Sequence, residues 1–219
     1  MSGQKINIPM LGAFLGVVAA AAAGLLSGVY TATKPAIAAN LAKKTNLALE
    51  QVLPAFDNIP ARETLTLRSE LDWPIKYYVA RKNGELVGFA GEVVTPEGFS
   101  GDMSVMVGLA LDGAVRTVIV TANAETPGLG TVVTDRKVQK TIIDLIQGAD
   151  EAAGLPPNPY LDWYAGKQAG ADRWTIVKEG AAVNGKTGAT ITSAAIGGAV
   201  HAVSWTAMEN LEKLSEGAE

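Results

Sequence analysis

The sequence predicts an α+β protein: a single N-terminal transmembrane helix, then a domain built on a small antiparallel sheet flanked by helices. Three observations predict it. No charged residue occurs from Ile6 to Thr33. Two turn dipeptides, Asn83-Gly84 and Asp112-Gly113, each separate a pair of alternating apolar runs, which is a hairpin pattern. Near the C-terminus, Ile196, Val200, Val203, Ala207, Leu211 and Leu214 recur at three- and four-residue spacing and make one buried helical stripe.

Taken in order, residues 1–8 form an N-terminal tail and residues 9–33 the transmembrane helix. The stretch Pro9–Tyr30 is long enough to cross a bilayer. A cleaved signal peptide is the rival, because Ala-x-Ala sequences surround Ala19–Ala23. Only Lys5 supplies a basic leader, so the reading is a retained anchor. Gly12, Gly16, Gly24 and Gly28 fall at multiples of four, a spacing that lets another membrane helix pack closely. Compositional bias gives the same pattern.

Residues 34–73 read as a juxtamembrane helix and connector. Lys34-Pro35 ends or kinks the span, and Ala36 to Val52 continues as a helix that Pro54 stops. Ala61–Leu71 is a polar stretch without a pattern. The main domain is expected over 74–214. Its first hairpin joins Ile75–Ala80 to Leu86–Val94, and its second joins Met103–Leu111 to Val115–Thr121. Thr134 or Asp135 is then expected to cap a helix running to Ile146, with Gly148 as its stop. Ala149–Asp172, rich in proline and aromatics, reads as an irregular loop packed on the body. Trp174–Val177 suggests one more strand. The final helix is expected from Ser193 to Leu214, with Thr192 or Ser193 as its N-cap. Residues 215–219 are a tail.

Composition narrows the chemistry. Net charge is −4 with a pI of about 5.1, and no basic block occurs, so nucleic acid is excluded as a partner. The chain has no cysteine and one histidine, His201, which excludes disulfides, thiolate chemistry and a His-cluster metal site. His201 reads as a packed side chain. No phosphate-binding Walker loop or GxGxxG occurs. No catalytic residue or metal ligand is expected, so redox chemistry would have to come from an organic cofactor that the protein positions.

Two loops stand out. In Asn184-Gly185-Lys186-Thr187-Gly188-Ala189-Thr190-Ile191-Thr192-Ser193, small residues let the backbone approach a ligand, and the helix that follows offers its N–H groups and positive dipole end. A capped helix after a glycine turn accounts for the same residues without a ligand. The second loop is Glu125-Thr126-Pro127-Gly128-Leu129-Gly130, which by itself is a Pro-Gly turn leaving a strand.

Together with Gly98-Phe99-Ser100-Gly101, these loops resemble, in order, the signatures of the FMN-binding domains in Rnf and Nqr complexes. The first loop is similar to the flavinylation motif Asp-x-x-Ser/Thr-Gly-Ala-Thr, with Asn184 where the family has Asp. The resemblance implies an RnfG-like subunit, with an NqrC-like subunit as second choice because those relatives tend to be longer. It implies covalent FMN on Thr190 through a phosphoester bond, with Thr187, Gly188, Ala189, Ile191 and Thr192 around the phosphate. It also implies contacts to the flavin from Glu125, Thr126, Gly128, Leu129 and Gly130. The Gly128–Gly130 amides would meet ring carbonyls, and Lys167 would meet the flavin or its phosphate.

The implied role is electron relay in an ion-translocating oxidoreductase, without independent catalysis. Implied partners are the other membrane subunits and a flavin transferase that uses FAD. Lys34, Lys43 and Lys44 follow the span, so the positive-inside rule places the domain in the cytoplasm. The resemblance implies the opposite, a single pass through the cytoplasmic membrane with the domain outside. A membrane-anchored module binding a non-covalent ligand is the alternative from another class.

Overall fold

The computed structural model describes residues 8–136, 155–170, 174 and 185–216. It divides into two compact units, Met1–Lys44 and Thr45–Glu219. Helix α1, Ile8–Val52, contributes to both. Among the described residues this is the one helix long and apolar enough to cross a membrane. In the first unit its large side chains, including Leu11, Phe14, Leu25 and Leu26, are exposed. The Thr31 and Thr33 hydroxyls donate to the carbonyls of Ser27 and Val29, at 2.8 Å each, so these polar groups are satisfied within the helix. Pro35 lies inside α1 and does not end it. Proline removes only one donor, and an alanine-rich helix continues on either side of the gap.

The second unit is a five-stranded antiparallel meander with a helix on each face. The strands β1 (Thr64–Arg68), β2 (Pro74–Lys82), β3 (Glu85–Gly98), β4 (Gly101–Leu109) and β5 (Val115–Ala122) pair in sequential order. Both expected hairpins are present. Asn83 and Gly84 both have positive φ, 54° and 83°, the geometry of a tight turn matching the strand twist. At the second, the Asp112 side chain accepts the Ala114 N–H at 3.0 Å and so fixes the turn.

Strand alternation separates two apolar faces. Tyr78, Ala80, Ala90 and Met106 point toward the end of α1, where Ala48, Leu49, Val52 and Leu53 are buried. Ile75, Tyr77, Val79, Phe89, Val105 and Val107 point the other way, onto α4 (Thr190–Glu209). Both helices sit close because glycines face them. A side chain at Gly91 would collide with Val203 of α4, and one at Gly108 would collide with the Val52 backbone. Beside Gly91, the buried Tyr77 hydroxyl donates to the Val203 carbonyl at 2.7 Å.

Three short helices complete the unit: α2 (Gly130–Thr134), α3 (Pro159–Asp162) and α5 (Leu211–Glu216). Asn158 caps α3 through its side-chain oxygen, at 3.0 Å from the Tyr160 N–H. Its amide nitrogen donates to the carbonyls of Val132 and Asp135 behind α2. Arg136, with its side chain only 7% exposed, donates to the carbonyls of Val118 and Pro156 and pairs with Asp162 at 2.7 Å. These two residues fasten the 155–170 segment to β5. That segment, expected as an irregular loop, carries α3 and packs Trp163 and Tyr164 on the body: Trp163 meets Tyr164 and Trp174 edge to face, and Trp174 meets His201 likewise. His201 also hydrogen-bonds the Gly170 carbonyl at 2.9 Å.

Several expectations change. The stretch Ala61–Leu71 holds β1, an edge strand whose Leu65 and Leu67 pack on the core. Five residues with threonines between the leucines carry too little alternation to be recognised without the partner strand. The last helix starts at Thr190 and breaks at Asn210 before α5. Neither Thr192 nor Ser193 caps it. Ala189 is the N-cap, and the Ser193 hydroxyl turns back to the Ala189 carbonyl at 2.9 Å. Asp135 is extended after α2, and the helix expected to follow Thr134 or Asp135 falls on residues outside those described. Residues 137–148, including Ile146, lie outside the described residues, as do 175–177 of the expected strand.

Burial pushes the Tyr77 and Tyr164 phenols far above the ordinary tyrosine range; for Tyr77 a hydrogen bond from Thr206 only partly opposes this. The unfolded chain releases these protons near pH ~10, and the folded chain retains them. Their stabilisation is therefore fully present below about pH 10 and is lost as pH rises toward the folded values, with a slope of up to about 1.4 kcal/mol per pH unit for each tyrosine. Denaturant midpoints of the full chain in detergent should fall across this alkaline range, and Tyr77→Phe should flatten the fall.

Candidate functional site

At one end of the sheet, three segments enclose a cleft of about 280 Å³. The β3–β4 turn contributes Phe99. The loop from β5 into α2 contributes Glu125, Thr126, Leu129 and Gly130. The start of α4 contributes Gly188, Ala189, Thr190, Ile191 and Thr192. Each segment is carried by an element already fixed in the core, so the cleft is held from three sides.

The first turn of α4 follows directly from its sequence. The Ala189 N–H closes a turn onto the Lys186 carbonyl at 2.9 Å, and the Ser193 N–H returns to Ala189 at 2.9 Å. No side chain caps the helix. The N–H groups of Thr190, Ile191 and Thr192 are therefore the ones left over by helix geometry, at the positive end of a 20-residue dipole. Among the described residues nothing pairs with the Thr190 hydroxyl. Thr192 points inward, and its hydroxyl donates to Glu125 Oε2 at 2.9 Å.

The cleft walls are apolar at the rim: Phe99 is 64%, Leu129 48% and Ile191 52% exposed. The volume lies at the small end of ligand pockets, which run from about 300 Å³ upward. Such a site takes an anionic group at the helix start and one side of a flat apolar body against the rim, leaving the rest in solvent. FMN, with a phosphate and a planar ring, fits this donor set and rim.

Nine residues expected from the sequence meet here: Glu125, Thr126, Leu129, Gly130, Gly188, Ala189, Thr190, Ile191 and Thr192. Three do not line the cleft. Thr187 is exposed in the preceding turn. Gly128 lies in the loop, but its N–H donates to Thr131 Oγ1 at 2.9 Å, and the Leu129 N–H donates to the Thr126 carbonyl at 3.2 Å. Both amides are used inside the turn and do not offer the expected ring contacts. Lys167 is held elsewhere: its ammonium donates to the Trp163 carbonyl at 2.7 Å and lies 3.9 Å from the centroid of the Trp163 ring. Asn184 lies outside the described residues. Phe99 lines the cleft without having been expected as a site residue; an exposed aromatic inside a Gly-Phe-Ser-Gly turn is the signal that could have found it.

Fold and cleft together define a class: an α+β domain behind an apolar N-terminal helix, with a cleft at a helix start suited to an anionic planar ligand. Residues 98–204 match the FMN-binding domain family, and residues 1–52 match the RnfG N-terminal region. The G subunit of the ion-translocating oxidoreductase complex from Photorhabdus laumondii subsp. laumondii is 31% identical over 205 residues, covering 90% of this chain and 87% of the relative. Its counterpart from Escherichia coli O157:H7 is 30% identical over 212 residues, covering 94% and 93%. That of Vibrio cholerae serotype O1, strain O395, is 30% identical over 193 residues, covering 84% and 83%. The chain belongs to this family, the RnfG-like subunits of ion-translocating oxidoreductase complexes. With its apolar helix, it is a single-pass membrane protein.

Lys167→Met should leave flavin retention unchanged, because Lys167 is engaged with Trp163. It should cost about 0.5–1 kcal/mol of stability for the lost cation–π contact. Paired flavin absorbance and thermal melts of the purified chain check both outcomes.

Proposed function

We propose that this chain is the electron-relay flavoprotein subunit of an Rnf-type complex, in which electron transfer between ferredoxin and NAD is coupled to movement of Na⁺ or H⁺. FMN is joined by a phosphoester bond to Thr190. FMN supplies reversible acceptance and release of electrons; the protein holds it in place and controls its surroundings. The observation that carries this reading is the position of Thr190, whose hydroxyl, unpaired among the described residues, lines the cleft at the start of α4, inside the stretch that matches the FMN-binding domain family. The match of residues 1–52 to the RnfG N-terminal region supports the Rnf type over the Nqr type.

Each part of the site has a task. The Thr190 oxygen becomes the ester oxygen when a separate transferase delivers FMN from FAD and releases AMP. The first-turn N–H groups hold the remaining phosphate oxygens, and the dipole favours their charge. Phe99, Leu129 and Ile191 offer apolar contact to one side of the ring and leave another side open to the redox partners in the rest of the complex.

Intact-protein mass tests the linkage: the chain produced with its transferase should carry the mass of FMN less one water. Thr190→Ala should be folded, membrane-bound and colourless, while Thr187→Val should still be loaded because Thr187 lies outside the cleft. Covalent flavin fluorescence on denatured Thr190→Ala would overturn the assignment.

In this reading the domain lies outside the cytoplasm, anchored in the cytoplasmic membrane by α1. Protease added to intact spheroplasts should then remove the Thr45–Glu219 unit. Digestion only after lysis would place it on the cytoplasmic side, as the lysines after the span would have it.

A further inference from the structure

Glu125 is a carboxylate only 6% exposed, in a loop. Burying such a group is costly unless its oxygens are occupied. Both of them accept hydrogen bonds, from the Thr192 hydroxyl at 2.9 Å and from the Ser100 N–H at 3.4 Å. The Glu125 N–H is itself held by the Asn123 side chain at 3.1 Å. Space for the carboxylate is provided by glycine on two sides. A side chain at Gly130 would collide with it, and a Cβ at Gly98 would stand 3.1 Å from Oε1. One side chain therefore joins all three segments that form the cleft.

The bond to Thr192 has a directional consequence. Successive helix residues are turned by about 100°, so Thr190 and Thr192 project about 160° apart around the axis. Fastening Thr192 inward fixes the rotation of the first turn and sends Thr190 outward to the cleft, as its exposure shows. The carboxylate takes its place on the inner side of a positive helix end, where negative charge is favoured. The outward N–H groups are left for a ligand anion.

We infer that Glu125 is a positioning residue. Through Thr192 it sets the rotation of the first turn of α4 and so aims the Thr190 hydroxyl into the cleft for modification. This rests on the reading of Thr190 given above. The test compares wild type with Thr192→Val, which keeps shape but removes the donor, Thr192→Ser, which restores it, and Glu125→Gln. Two readouts are taken on the full chain in detergent: amide hydrogen exchange before loading, and the rate of FMN attachment from FAD and the transferase by intact mass.

For Thr192→Val, the Ser193 amide should lose protection by about tenfold or more, the size expected for a lost hydrogen bond to a charged group, while amides from Val200 to Ala207 keep theirs. Attachment should slow by a similar factor, and Thr192→Ser should return both readouts to wild type. Wild-type exchange and loading in Thr192→Val would overturn the inference. So would equal loss of protection along the whole of α4, which marks general destabilisation. If Thr192→Val does not fold, Glu125→Gln carries the same comparison with the side-chain volume kept. Local loss at Ser193 in a protein whose wild type never gains the FMN mass would uphold the positioning role and overturn the function proposed for Thr190.

Discussion

Helix α4 lies against β3 at Gly91, where any side chain would strike Val203, and the Tyr77 hydroxyl grips the Val203 carbonyl beside that contact. The position of the cleft follows from this seating. The stripe that includes Ile196, Val200 and Val203 buries α4 along its length, so its first turn cannot drift without moving the core. Burial of side chains of this size contributes about 1.5–3 kcal/mol each, far more than any single contact in the loops. The apolar packing therefore sets the frame, and the polar contacts near Thr190 adjust within it.

Within that frame the polar groups fix local geometry. Arg136 and Asn158 donate to backbone carbonyls of three segments: β5, α2 with the residue after it, and 155–170. Their work is to attach the 155–170 segment, with its aromatics, to β5 and α2. Glu125 does the same at the cleft with a carboxylate. Among the described residues no buried side-chain polar atom is left without a partner, which is what a site with fixed geometry requires.

The two units answer to different solvents. The first exposes large apolar side chains along α1, stable only where lipid surrounds them, and keeps its threonine hydroxyls on its own carbonyls. The second turns comparable residues inward. The same helix changes character within its length, because residues beyond Thr45 meet the sheet and bury Ala48, Leu49 and Val52.

Much was readable from the sequence by itself. An uncharged run, two turn dipeptides and a helical stripe are local signals set by backbone geometry and side-chain periodicity, and they gave the anchor, both hairpins and the final helix. The motif residues also placed most of the cleft, since a loop–helix junction carries its own chemistry. Other features depended on partners far away in the chain. β1 is a strand because β2 is beside it. Gly91 and Gly108 are needed only because helices lie against them. The cap of α4 fell to Ala189, and Thr192 lies inside the helix with its hydroxyl on Glu125, 67 residues earlier. Lys167, expected at the flavin, turns instead to Trp163 four residues earlier, a contact local in sequence but not carried by any motif or periodicity. Periodicity and motifs report what a segment can do alone; which hydrogen bond or contact it finally makes is decided by whichever groups the tertiary fold brings within reach.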